Sequence, residues 1–156
     1  MTRYKIIISS LWWGAGLTIL VLFLWLTANP QVFGNQTDKA IDWIIPHLVP
    51  TLTLTGAVAF VQRGTEAAAP PSDQMKHAFL LTMAVSSVYL LVLGGALVLS
   101  ISGAPAETAN GVIDRLYGWN KILGVIQGLA ASAIGVFFVR SDKDAAAKGS
   151  DKKGAA

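Results

Sequence analysis

Residues 6–27, IIISSLWWGAGLTILVLFLWLT, contain no charged side chain and are apolar along almost their whole length. A helix needs about 20 mainly apolar residues to cross the ~30 Å hydrocarbon core of a bilayer. The apolar residues follow one another without strict alternation, which disfavours the strand of a transmembrane β-barrel. The stretch is also longer than the apolar region of a secretory signal peptide. We therefore expect a retained transmembrane helix.

Three further stretches of the chain have the same character. Residues 43–62 and 79–101 are uncharged, and residues 120–139 carry one charge, Lys121, at their beginning. The chain is 53% hydrophobic and 13% charged, whereas average soluble domains carry about 25% charged residues. A soluble fold of this size could not bury so much apolar surface, whereas lipid can cover it. Residues 1–140 are therefore predicted to form an all-α integral membrane domain, a four-transmembrane-helix bundle.

The basic residues predict the orientation of this bundle. With the N-terminus inside, nine of the twelve Lys and Arg residues lie on the cytoplasmic side: Arg3, Lys5, Arg63, Lys76, Arg140, Lys143, Lys148, Lys152 and Lys153. The outer loops then hold Lys39, Arg115 and Lys121. Basic residues concentrate in cytoplasmic loops, so we expect a multi-pass protein of the cell inner membrane with both termini cytoplasmic.

The segments outside the predicted spans are short. Residues 141–156 are rich in Ala, Lys, Asp and Gly, a composition typical of a disordered basic cytoplasmic tail. In the second outer loop, Val112, Ile113, Leu116 and Tyr117 fall on one helical face, which predicts a short interfacial helix. The five tryptophans flank the spans and fit aromatic belts at the membrane surface.

Small residues form a stripe on the fourth predicted helix. Gly124, Gly128, Ala131 and Gly135 are spaced four, three and four residues apart. The Gly-x-x-x-Gly pattern lets two helices approach closely in a membrane. We therefore expect this stripe to make a helix–helix contact within the chain or between subunits, and it favours a homo-oligomer.

The second predicted helix contains two prolines and several hydroxyl side chains. Each proline removes a backbone hydrogen bond, which neighbouring groups can replace. Thr51 and Thr55 share a face, and Gln127 lies inside the fourth helix, where it should find a partner across the bundle. Thr51, Thr55 and Gln127 thus form a candidate polar path, with plain interhelical packing as the alternative. His47, near the outer end of its helix, is expected to be solvated.

Several classes of function are disfavoured. The chain has no cysteine, and we find no catalytic constellation, cofactor motif or set of metal ligands. No Asp, Glu, Lys or Arg lies in the interior of a predicted span, whereas coupled transporters usually place an ionisable group there. We therefore predict a protein that is not an enzyme, needs no cofactor and binds no nucleic acid.

Two hypotheses for the function follow. The preferred one is a non-enzymatic anchor or assembly subunit of a multi-protein membrane system, whose partners are the lipid bilayer and either further copies of itself or another protein of the membrane or cytoplasm. The alternative is a homo-oligomeric passive or gated pore that depolarises a membrane. In topology alone, the arrangement resembles the small membrane proteins of bacterial phage-exclusion systems. That resemblance implies no site residue.

Overall fold

The computed structural model describes residues 3–61, 73–102 and 109–153, which are almost all helical and include no strand. The first helix comprises α1 (Arg3–Leu11), a π-helical turn (Trp12–Gly16) and α2 (Leu17–Thr27). The later elements are α3 (Pro30–Phe33), a 3-10 turn (Gly34–Gln36), α4 (Thr37–Val61), α5 (Asp73–Ser102), α6 (Ala109–Gly118) and α7 (Asn120–Lys153). The predicted all-helical fold is confirmed for this part of the chain.

Three helices in the described parts of the chain are long and apolar enough to cross a membrane: Tyr4–Thr27, Met75–Ser102 and Asn120–Val139. They correspond to the first, third and fourth predicted spans. The second predicted span, 43–62, lies on α4 as far as Val61, and its last residue lies outside the described residues. α4 has 25 residues; it carries the charged residues Asp38, Lys39 and Asp42 at its beginning, and two prolines, a histidine and several threonines further along.

The helices pack so that α4 and α5 lie diagonally opposite each other. α4 contacts the first helix and α7, and α5 contacts the same two helices, with its longest contact along α7. At the centre, the Tyr89 hydroxyl of α5 donates a 2.8 Å hydrogen bond to the backbone oxygen of His47 on α4. The ring of Trp12 stacks on Tyr89 with 5.7 Å between ring centroids. The π-helical turn thus supplies a large aromatic side chain to the middle of the bundle.

Two of the tryptophans are not at the surface. Trp12 and Trp43 are fully buried in the bundle, whereas Trp25 is largely exposed. The aromatic belt at the membrane surface stays a prediction, and the structure adds that the Trp12 and Trp43 indoles face the other helices. An indole buries a large area when it faces other helices, and both residues lie on the inner faces of their helices.

The connection between α2 and α4 is shorter than predicted because it is mostly helical. The Asn29 side chain accepts a 3.0 Å hydrogen bond from the backbone nitrogen of Gln31 and caps α3. Gly34 has a φ of 52°, a conformation that glycine adopts without steric cost, and α4 then begins at Thr37 instead of Trp43.

The predicted helix in the second connection is confirmed as α6. Val112, Ile113 and Leu116 are buried, whereas Tyr117 is exposed and its hydroxyl donates to the backbone oxygen of Lys39 at 3.3 Å. The apolar face of α6 therefore packs on the rest of the protein. Its tyrosine ties the helix to the beginning of α4.

The last helix extends beyond the predicted span. α7 continues to Lys153, so residues 141–153 are helical, in contrast to the disorder predicted for residues 141–156; residues 154–156 lie outside the described residues. Extending an existing helix does not repeat the cost of nucleation. Alanine and lysine are also among the better helix formers, so the composition of residues 141–153 is compatible with a helix.

We predict that Gly56→Ala destabilises the bundle, whereas Gly95→Ala does not. A Cβ at Gly56 would lie 2.9 Å from Cζ2 of Trp13, whereas a Cβ at Gly95 would have no atom within 4 Å. Overpacking costs about 1–3 kcal/mol, whereas replacing a helical glycine by alanine gains at most about 1 kcal/mol. Thermal unfolding in detergent measures both variants, and a Gly56→Ala protein as stable as Gly95→Ala would contradict the close approach.

Candidate functional site at His47

His47 lies inside the bundle. Its side chain is 6% exposed, so the expectation that it is solvated is wrong. α4 begins at Thr37, which places His47 about 15 Å along the helix at 1.5 Å per residue. The histidine therefore faces the neighbouring helices instead of the end of the bundle.

Both nitrogens of the His47 ring contact amide groups of α7. Nδ1 lies 3.3 Å from Oε1 of Gln127, and Nε2 lies 3.2 Å from Oδ1 of Asn120. Asn120 and Gln127 are seven positions apart in the sequence, so they project from the same face of a helix about two turns apart. The imidazole thus bridges two successive levels of α7.

The Gln127 amide also supplies a hydrogen-bond donor that the backbone of α4 lacks. Proline at position 50 has no N–H, so the carbonyl of Pro46, four residues earlier, lacks its usual helical donor. Nε2 of Gln127 donates a 2.8 Å hydrogen bond to this carbonyl oxygen. A carbonyl without a donor is costly where lipid excludes water, and the side chain from α7 supplies the donor.

A third helix joins the same cluster. The Tyr89 hydroxyl on α5 donates to the backbone oxygen of His47 at 2.8 Å. The ring of Trp43 packs edge-on against the imidazole, with 5.3 Å between centroids and 64° between the planes. We call His47, Tyr89, Asn120, Gln127 and the Pro46 carbonyl the His47 site; it connects α4, α5 and α7.

The residues of the candidate polar path are placed differently from one another. Thr51 and Thr55 are buried on one face of α4. The Thr55 hydroxyl donates to the backbone oxygens of Thr51 at 2.9 Å and Leu52 at 3.1 Å. Gln127 has its partner across the bundle, as expected, but that partner is the His47 and Pro46 pair. A polar path through these three residues stays a prediction.

The stripe of small residues on α7 runs directly beside the His47 site, because Gly124 lies four residues after Asn120 and three before Gln127. Gly124 and Gly128 are exposed, and Ala131 and Gly135 are half-buried. A Cβ added to Gly124, Gly128 or Gly135 would meet nothing within 4 Å. The glycines of the stripe therefore make no close contact within the chain. Such contacts occur instead at Gly56 and at Gly16, where a Cβ would lie 3.2 Å from Cδ2 of Leu52.

The chemistry of the His47 site is that of hydrogen bonding. The imidazole contacts two side-chain amides, and the backbone oxygen of His47 accepts a hydrogen bond from a phenol. Among the described residues, no group of three or more His, Cys, Asp or Glu side chains could hold a metal ion. Comparison with protein-family models, curated proteins and solved structures gives no match. The fold and the site together define an all-helical protein that has three helices long and apolar enough to cross a membrane, and a buried histidine at its centre.

We predict that Gln127→Leu destabilises the protein more in the native chain than in a Pro50→Ala background. Removing Gln127 leaves the Pro46 carbonyl and the His47 Nδ1 without their partners, and a buried unpaired polar group costs about 1–3 kcal/mol. Alanine at position 50 supplies a backbone N–H to the Pro46 carbonyl, which removes part of that cost.

A double-mutant cycle on thermal stability in detergent measures this coupling. The single variant Pro50→Ala is the control, and it also reports any straightening of α4. If the effects of Gln127→Leu and Pro50→Ala simply add, Gln127 does not stabilise the helix through the Pro46 carbonyl.

Proposed function

We propose that this chain is a non-enzymatic, multi-pass membrane subunit that assembles with further copies of itself through the outer face of α7. The observation that carries the proposal is the exposure of Gly124 and Gly128, where an added Cβ would meet no atom of the described residues within 4 Å. Glycines in a Gly-x-x-x-Gly pattern are typical of helix pairs that pack closely in a membrane. Here the packing partner is supplied by another subunit.

The outer face of α7 has a shape that suits such packing. The small residues form a groove, and beside it Val125 (67% exposed), Leu129 (60% exposed) and Val136 form a ridge. In a two-fold pair, the same patch is used by both subunits. The ridge of one copy can then lie against the groove of the other. Dispersion contacts of this kind drive association in lipid, where the hydrophobic effect between helices is absent.

The polar groups of this face are compatible with burial. The Ser132 hydroxyl donates to the backbone oxygen of Gly128 at 2.8 Å, so a neighbouring helix need not supply its partner. Burying a hydroxyl that already has a hydrogen bond avoids most of the desolvation penalty. The face can therefore be covered by an apolar helix without leaving an unpaired group.

The alternative function, a passive or gated pore, has less support. Trp12, Tyr89 and Phe137 fill the interior of the bundle, and the buried Thr55 hydroxyl is bonded to its own helix. A conducting path would have to run between subunits instead of through one. Conductance in planar bilayers tests this alternative separately from assembly.

We also propose that α4 is a fourth membrane span, with both termini in the cytoplasm. At 1.5 Å per residue its 25 residues are about 37 Å long, enough for the ~30 Å core. His47, Thr51 and Thr55 are buried, whereas Ile45, Val49 and Leu54 are exposed. Three of the polar side chains of α4 are thus sheltered by the bundle. The exposed Thr53 hydroxyl donates to the backbone oxygen of Val49 at 2.8 Å.

We predict the sidedness of four single-cysteine variants, which is testable because the chain has no cysteine of its own. Asn35→Cys and Asn110→Cys should react with a membrane-impermeant maleimide in intact cells. Ser72→Cys and Ser150→Cys should react only after the cells have been permeabilised. If α4 does not cross the membrane, Ser72→Cys will label together with Asn35→Cys in intact cells.

We predict that Gly128→Leu reduces the oligomer to smaller species without unfolding the subunit. The leucine fills the groove that the second copy needs, whereas the subunit itself has open space at this position. Gly14→Leu is the matched control, since Gly14 is also exposed and open but lies on the first helix. Thr51→Val and Thr55→Val should leave the oligomer unchanged.

Light scattering of the purified protein in mild detergent measures the mass against the 16.5 kDa of one chain. A mass unchanged by Gly128→Leu would contradict assembly through this face. Mass spectrometry of the protein purified from its native membrane separates two cases. An oligomer that contains only this chain supports self-assembly. A complex of one copy of this chain with a stoichiometric second protein would contradict self-assembly and support an anchoring role instead.

A further inference from the structure

A cavity of about 380 Å³ lies where α5, α6 and the beginning of α7 meet. Its lining consists of Leu99, Ser100, Arg115, Gly118, Trp119 and Ile122. Leu99, Gly118 and Ile122 are exposed, so the cavity is reached from outside the bundle. Ligand sites in proteins have volumes of about 300–1,000 Å³. The cavity therefore has the size of a small ligand site.

The lining changes from polar to apolar along the axis of the bundle. Arg115 belongs to α6, which is not one of the helices apolar enough to cross a membrane. Leu99 and Ile122 belong to two helices that are, near the end of Met75–Ser102 and the beginning of Asn120–Val139. At 1.5 Å per residue, both lie only a few ångströms inside the ends of these helices. The cavity thus lies at the level where lipid headgroups meet the hydrocarbon.

The polar side of the cavity carries a positive charge. Arg115 is half-buried in the lining, whereas the exposed Asp114 and Lys121 are not part of it. A guanidinium has five N–H donors, in a planar arrangement that matches the oxygens of a phosphate. It can therefore bind a phosphate in addition to the contact that Arg115 makes within the chain. The charge of the lining favours an anionic ligand.

A second polar group lies deeper in the lining. Ser100 is 1% exposed, and its hydroxyl has no hydrogen-bond partner among the described residues. Other hydroxyls of α5 donate to their own helix: Ser102 to the backbone oxygen of Val98 at 2.7 Å, and Thr82 to that of Ala78 at 2.8 Å. An unpaired buried hydroxyl is costly. Ser100 thus offers a donor to an acceptor atom that enters the cavity.

We propose that this cavity binds one anionic phospholipid. Along the lipid, the order of groups is phosphate, ester carbonyl and acyl chain, which matches the order of the lining. Arg115 binds the phosphate, the Ser100 hydroxyl donates to an ester carbonyl, and an acyl chain lies against Leu99 and Ile122. The Trp119 indole lies at the same level, as is typical of tryptophan at a membrane surface. The inference goes beyond the proposed function and does not depend on assembly through the outer face of α7.

Native mass spectrometry of the full-length protein in mild detergent tests the proposal. Titration with dioleoyl phosphatidylglycerol should give one bound lipid per chain, more tightly held than dioleoyl phosphatidylcholine, whose choline group is positively charged. Arg115→Gln should weaken binding of phosphatidylglycerol about tenfold or more, because a hydrogen bond to a charged group is lost. Lys121→Gln is the matched control. It removes the same charge from an exposed neighbour outside the lining and should bind as the native chain does.

Two further variants test the apolar and the ester parts of the site. Leu99→Trp should block binding without a change of charge, and the subunit should tolerate it because Leu99 is 58% exposed. An ether-linked phosphatidylglycerol lacks the ester carbonyl, so the native chain should bind it about 2- to 10-fold more weakly than the ester lipid. Ser100→Ala should bind the two lipids equally. Gly128→Leu should bind lipid as the native chain does, which separates lipid binding from assembly.

Four results would overturn the proposal. The first is equal affinity of the native chain for phosphatidylglycerol and phosphatidylcholine. The second is an equal loss in Arg115→Gln and Lys121→Gln, which would show a general attraction to the basic residues at this end. The third is undiminished binding by Leu99→Trp, a test that stays available if Arg115→Gln fails to fold. The fourth is inorganic phosphate that binds as tightly as the lipid, since the cavity would then hold a soluble anion.

Discussion

A backbone carbonyl without a donor is the constraint on which the centre of this protein depends. Pro50 removes the donor that the Pro46 carbonyl would have within α4. The Gln127 side chain supplies the missing hydrogen, which requires α7 to lie beside α4 at this level. The same amide then holds His47, and the His47 backbone oxygen holds Tyr89 of α5. These hydrogen bonds connect α4, α5 and α7 at the centre of the bundle.

Two neighbouring strips of α7 make different contacts. Asn120 and Gln127 contact α4 through polar groups, whereas an added Cβ at Gly124 or Gly128 would meet no atom of the described residues within 4 Å. Because residues three and four apart are neighbours on a helix, the His47 site and the open glycines lie side by side. A change in the His47 site and the packing of a second subunit would therefore act on the same helix.

The differences between expectation and structure have a common physical origin. A sequence window shows how apolar a residue's neighbours along the chain are, but not which helix lies across from it. His47 was expected at the solvated end because the beginning of α4 was placed at Trp43 instead of Thr37. The belt position predicted for Trp12 does not show that its ring faces Tyr89, to which the π-helical turn directs it. One signal was available: two prolines four residues apart in an apolar helix indicate an unpaired carbonyl, and Gln127 was a suitable donor.

The sequence by itself determined the helical class, three of the membrane-spanning stretches, the short helix α6 and the presence of the small-residue stripe. These depend on composition and periodicity, which are local properties of the chain. The tertiary structure alone decided which glycines are packed and which are open, that His47 is buried, and that Asn120, Gln127 and Tyr89 meet around it. These are contacts between residues far apart in the sequence, from Pro46 to Gln127, and they exist because the helices must satisfy each other's polar groups where water is absent.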